Sequence, residues 1–252
     1  MLGSFKGFFA NQGLGLDFSE VSTWAKRRGH TFKRARDVEG FAIDGTLDAK
    51  AWRLEWGPRQ RDYIVGNELR ARADLGLPAD LQMLLLSRPL RDALESQTYE
   101  QFTQSNQTEM GDSTPEEMRW LVMFAKIDLR TLKGVRARFG GVSSMPGDGL
   151  AWVEGRLANQ LVKASRRMLL DEPPFVLMTL RGRAYLRMQL ATADADDIAE
   201  ALDLFETAAS EALRVAAQRP EPGPDGEPSA STAWQSLQSG RRGTPKAGGQ
   251  GS

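Results

Sequence analysis

Apolar residues change period along this chain, and each change predicts an element. From Asp17 the spacing is helical: Val21, Trp24 and Ala25 share a face, and Asp17 and Glu20 form an Asp-x-x-Glu capping box. Leu16 and Val21 take hydrophobic-staple positions, and Gly29 is the expected stop. After His30 the period falls to two. Phe41, Ile43 and Leu47 alternate with Ala42, Asp44 and Thr46, and Trp52, Leu54 and Trp56 alternate with Arg53 and Glu55. From Tyr63 to Leu75, Leu69, Ala71, Ala73 and Leu75 face one way and Glu68, Arg70, Arg72 and Asp74 the other. Short polar turns at 37–40, 47–50 and 57–62 join these runs, so the pattern predicts an antiparallel meander with one wet face.

The run from Leu81 to Leu86 is apolar throughout and reads as a buried strand, and Pro89 opens a helix carrying Leu90, Leu94 and Phe102. Ser105 to Ser113 has no apolar pattern and predicts a hinge or loop between two halves. Residues 115–127 support two readings. Thr114, Pro115 and Glu117 look like a helix start, whereas the dense run from Trp120 to Phe124 suits a buried strand before a separate helix over 128–139. We favour the strand.

From Leu150 to Met168 apolar residues step by three and four behind Asp148 as a cap, predicting one helix. The segments 175–180 and 184–190 read as a hairpin around Arg181, Gly182 and Arg183, and 194–217 as a final helix facing the core through Ile198, Leu202, Phe205, Ala209, Ala212 and Ala216. The expected class is α+β. A mainly antiparallel sheet, from an N-terminal meander and a C-terminal hairpin, is packed by amphipathic helices on one face. The organisation expected is a flexible extension over 1–16, a helix-plus-meander half over 17–110, an α+β half over 111–218 ending in the long helix, and a tail over 219–252. Of the 34 tail residues 5 are Pro, 7 Gly and 5 Ser, a composition that predicts disorder.

Composition narrows the chemistry. The 252 residues include no Cys and one His, which excludes thiol nucleophiles, disulfides, Cys-ligated zinc and iron–sulfur clusters, and no metal or cofactor is expected. Phe5, Phe8 and Phe9 are interrupted by Lys6, Asn11 and Gln12, so the N-terminal stretch predicts neither a membrane span nor a signal peptide, and the expectation is cytoplasmic. The 33 basic and 33 acidic residues balance, so no global field draws a nucleic acid.

Local charge does not balance. Lys26 to Arg36 holds six Lys or Arg in eleven residues, and Arg27, Arg28, Lys33, Arg34 and Arg36 are the candidate anion-binding or nucleic-acid-binding residues. The stretch 119–167 carries 10 basic and 3 acidic residues, and 171–211 carries 9 acidic and 3 basic, so these segments are expected to pair with each other. His30, a possible general base, follows the Gly29 stop among cations, which reads as a turn or surface histidine with a lowered pKa. Asp194, Asp196, Asp197 and Glu200 lack the spacing of a calcium loop and suit the first turn of a helix. Trp52 and Trp56 could stack bases, but their alternation with charged residues points to the core.

In the tail, Trp234 and Leu237 are spaced i, i+3, as a short helical anchor for a partner groove would be. Spacing-dependent catalytic motifs are absent. The function expected is therefore non-enzymatic binding of another protein. The alternatives are anion or nucleic-acid binding through 26–36, and an enzyme whose site is assembled from distant polar residues.

Overall fold

A computed structural model of the chain describes residues 16–104 and 115–219, with 101–104 described by backbone alone. Contacts divide the chain into Met1–Ala217 and Gln218–Ser252, and of the second unit only Gln218 and Arg219 are described. The tail expectations, including Trp234 and Leu237, lie outside the described residues.

Among the described residues nine strands form one antiparallel sheet: β1 (Thr31–Arg34), β2 (Phe41–Leu47), β3 (Lys50–Pro58), β4 (Asn67–Asp74), β5 (Met83–Ser87), β6 (Ala125–Lys126), β7 (Phe139–Ser143), β8 (Phe175–Leu180) and β9 (Arg183–Gln189). Their order across the sheet is β1-β2-β3-β4-β9-β8-β5-β7-β6. The helices are α1 (Ser19–Arg27), α2 (Arg88–Gln104), α3 (Glu116–Met123), α4 (Lys133–Arg138), α5 (Pro146–Val153), α6 (Arg156–Ala164) and α7 (Ala195–Gln218). This is the α+β class that the periodicity predicts. No helix among the described residues is long and apolar enough to cross a membrane.

The meander forms where the alternation places it, with Ile43 opposite Leu54 and Leu54 opposite Ala71. Two-residue turns close two of the hairpins. Asp48 and Ala49, and then Arg181 and Gly182, take consecutive positive φ angles, as turns matching strand twist require. Strands from either side of 105–113 interleave, because β5 sits between β7 and β8 and β4 pairs with β9. The two halves read from sequence thus share one sheet.

The larger core lies on the first face of the sheet. Ile43, Trp52, Leu54, Leu69, Phe175 and Leu186 pack there with Val21 of α1, Trp152 of α5, Leu157 and Leu161 of α6 and Phe205 of α7. Trp56 and Trp152 donate their indole N–H groups to the carbonyls of Leu190 and Ala208, each at 2.9 Å, so both bury without an orphaned donor. Trp52 and Trp56 are core residues, 2% and 1% exposed.

A second core lies on the opposite face. Leu84, Leu86, Val142, Val176 and Met178 pack against Leu90 and Leu94 of α2 and Met118, Trp120 and Leu121 of α3. The expectation of helices on one face is corrected. β5 is apolar on both sides and has to be covered on both.

Four local expectations are also corrected. Residues 116–123 are helix: Met118, Trp120 and Leu121 are buried while Val122 and Met123 are 52% and 66% exposed, a split that a fully buried strand does not allow. The helix over 128–139 shrinks to α4, and 139–143 becomes buried strand β7. Its Gly140 and Gly141 hide the period; a Cβ on Gly141 would lie 2.3 Å from the Leu84 carbonyl oxygen. The helix over 150–168 breaks into α5 and α6 at Gly155, whose φ is +73°, and Asp148 lies in the first turn of α5 and does not cap it. α1 starts one residue late, with Phe18 at the N-cap and Asp17 accepting the Ser19 N–H at 2.9 Å.

Candidate functional site

The second sheet face changes character at one strand boundary. One row of paired residues on it reads Lys33, Ala42, Glu55, Arg70, Arg187, Val176, Leu86 and Gly140 from β1 to β7. The adjacent row reads Thr31, Asp44, Arg53, Arg72, Tyr185, Met178, Leu84 and Val142. Both rows turn from polar to apolar between β9 and β8. α2 and α3 cover the apolar half, and the polar half forms a floor spanning five strands, roughly 19 Å at ordinary strand spacing.

The floor is an ordered ladder of alternating charge. Lys33 Nζ donates to Asp44 Oδ2 at 2.9 Å, and Arg53 Nη1 donates to Asp44 Oδ1 at 3.0 Å. Arg53 Nε donates to Glu55 Oε1 at 2.6 Å, and Arg70 Nη2 reaches Glu55 Oε2 at 3.5 Å. Arg70 Nη1 lies 3.6 Å from Glu68 Oε2, and Arg187 Nη1 hydrogen-bonds Glu68 Oε1. The ladder has a cation at each end, four cations to three carboxylates. Arg72, exposed on the same floor, is a fifth cation, and no ion pair holds it among the described residues.

This ordering has an electrostatic cost. Register places Arg53 directly opposite Arg72 and Arg70 directly opposite Arg187, and like charges so paired are destabilising. The carboxylates offset it. Burial pushes the Asp44 and Glu55 carboxyls up, but the bonds from Lys33 and Arg53, and the neighbouring guanidiniums, outweigh it and hold both below the ordinary carboxylate range.

A wall rises at one end of the floor. The loop between β3 and β4 folds over Glu68, which is 0% exposed, and the Gln60 N–H donates to its Oε2 at 2.6 Å. The same loop meets α3, where the Tyr63 hydroxyl and Arg61 Nε reach Glu117 Oε1. Glu117 is 1% exposed. Burial, and then the Glu117 charge, push the Tyr63 phenol upward. The floor and its wall present fixed guanidiniums and tyrosines, which can bind anionic groups through charge-assisted hydrogen bonds. No group of three or more His, Asp or Glu among the described residues is placed to hold a metal.

The basic segment is not one surface. Arg28 pairs with Asp203 of α7 at 2.8 Å. Lys33 enters the ladder through Asp44, and Arg34 donates to the Leu16 carbonyl at 3.1 Å and stacks over Phe18. Arg27 and Arg36 are exposed, Arg27 on the last turn of α1 and Arg36 in the loop after β1. Of the five candidates only Lys33 reaches the floor.

His30 packs edge-on to Trp52 with ring centroids 4.8 Å apart, and burial followed by Arg28 pushes its pKa down. Asp194 Oδ1 accepts the N–H groups of Asp196 and Asp197 at 2.8 and 3.3 Å, so the acidic cluster caps α7. The oppositely charged segments do pair, through Arg138 with Glu172, Arg156 with Glu211, and Arg167 with Asp197 and Glu200. Sequence reasoning passed over the floor because a wet strand face reads as solvated. Its signal was charge at successive outward positions, Arg53 and Glu55 on β3 and Glu68, Arg70 and Arg72 on β4. Compared with known proteins, the chain matches no family model, no curated protein and no solved structure.

Proposed function

We propose that the protein works by binding another protein, and that the partner sits on the open half of the second sheet face. One observation carries this: a charged ladder crosses five strands beside an exposed arginine, Arg72, with which none of its carboxylates forms an ion pair. Holding Arg53, Arg70 and Arg187 in place around Arg72 before a partner arrives lowers the entropy lost at those side chains on docking. Arginine and tyrosine are also the residue types that interfaces concentrate at their energetic centres. The mixed signs of the floor match a protein surface better than a phosphodiester backbone, which would meet Asp44 and Glu55.

The test places a photo-crosslinking residue at position 72 and, separately, at position 20 on the exposed side of α1. A discrete protein adduct at 72 and none at 20 is the expected result. The identified partner, once purified, should bind the unlabelled protein and lose at least tenfold in affinity on Arg72→Glu. Removing 219–252 should leave the adduct in place. Equal labelling at both positions, or an affinity that Arg72→Glu leaves unchanged, overturns the proposal.

A further inference from the structure

We infer that the segment docking on this floor is an acidic peptide, held by its carboxylates at Arg72 beside Arg53 and Tyr185. The inference rests on the proposed function and names the chemistry of the partner's contact.

Charge complementarity is the first argument. The floor carries Lys33, Arg53, Arg70, Arg72, Arg183 and Arg187 against Asp44, Glu55, Glu68 and Asp74, and with Asp74 paired to Arg183 at 3.3 Å two cations remain in excess. The excess has an address. Arg53 spends its Nε and Nη1 on Glu55 and Asp44, and Arg70 and Arg187 share Glu68, whereas the Arg72 guanidinium forms no ion pair among the described residues.

Geometry gives the second. Arg72 lies opposite Arg53 on β3 and opposite Tyr185 on β9, so a carboxylate on Arg72 would sit between a second guanidinium and a partly buried ring. Cross-strand Cβ atoms stand about 5 Å apart, close enough for a carboxylate on the Arg72 fork to be attracted by the Arg53 guanidinium as well. A planar guanidinium binds carboxylate through two parallel N–H bonds, which an ammonium group cannot supply.

The third argument separates an acidic peptide from a nucleic acid. Continuous phosphate charge must release many counterions to bind well, and each further phosphate laid across this floor would approach Asp44 or Glu55. A peptide can alternate acidic and neutral side chains and so place carboxylate at Arg72 alone.

Fluorescence anisotropy of the full chain tests this with two labelled probes at about 50 mM salt: a ten-residue peptide alternating Glu and Thr, and a twenty-nucleotide single-stranded DNA. The peptide should bind, weaken at least tenfold with Arg72→Glu, weaken less with Arg72→Lys, and keep its affinity with Arg28→Ala, which removes a cation engaged elsewhere. Because Arg72 is exposed and faces Arg53, its two variants should unfold no earlier than the parent, and the midpoint is measured alongside. No peptide binding, binding indifferent to Arg72→Glu, or DNA bound more tightly than peptide through Arg72 each overturns the inference. If position 72 crosslinks a partner protein while the peptide fails to bind, the acidic segment is wrong and the docking face stands.

Discussion

The Tyr63 hydroxyl donates to Glu117 Oε1 at 3.0 Å, and with Arg61 Nε at 3.4 Å from the same oxygen it fastens the loop between β3 and β4 to α3. The other carboxylate oxygen, Oε2, is buried and makes no hydrogen bond. A carboxylate so enclosed depends on the few donors it has. The contact also joins the floor's wall to the helix covering the apolar half of the same face.

Tyr63→Phe should therefore destabilise the protein by about 2 kcal/mol, the usual loss for a hydrogen bond to a charged group. The urea midpoint measures it. An unchanged midpoint for Tyr63→Phe would show that water replaces the hydroxyl.

Stability should fall at both ends of the pH scale for reasons that can be assigned. Burial pushes Glu211 up, but Arg214 and Arg156 outweigh it and hold it low, as the ladder does for Asp44 and Glu55. A carboxyl lowered in the fold stabilises above its unfolded value, about 4, and loses that contribution as the pH falls through its folded value. Tyr63 runs the other way. Raised in the fold, it contributes fully below about pH 10 and loses the contribution as rising pH ionises it. Thermal midpoints across pH should show Tyr63→Phe flattening the alkaline limb alone.

Gly155 separates α5 from α6 by its backbone conformation alone: φ is +73° and a Cβ there would meet nothing within 4 Å. Gly155→Ala should cost about 1–2 kcal/mol, the penalty for a left-handed alanine. Gly147→Ala has equally open space without a positive φ, and should stabilise α5 by less than about 1 kcal/mol. Opposite signs in chemical denaturation would separate backbone strain from space.

Gly45 faces Trp52 across β2 and β3, and a Cβ on it would lie 2.3 Å from the indole ring. Trp52 is buried and packs edge-on with His30. Gly45→Ala should cost about 1–3 kcal/mol by overpacking, read as a lower unfolding midpoint. No loss would mean that the indole can move aside.

The sheet was legible where side chains alternate cleanly. Ile43, Leu54, Ala71 and Leu186 announce one buried face, and Asp44, Arg53 and Arg72 one polar face. β7 escaped because Gly140 and Gly141 have no side chains to show a period, and β1 because Phe32 is its single large apolar residue. The ladder escaped for another reason. Glu68 and Arg187 are 119 residues apart, and their pairing exists only once β4 lies beside β9.

Local period thus determined the elements of the meander, the last helix and the α+β class, because burial selects one face of each element independently of the rest. Tertiary structure decided which strands became neighbours, which half of the second face α2 and α3 would cover, and which floor arginine forms no ion pair among the described residues. Those outcomes depend on pairings between distant segments, and no local window of sequence contains both partners of such a pair.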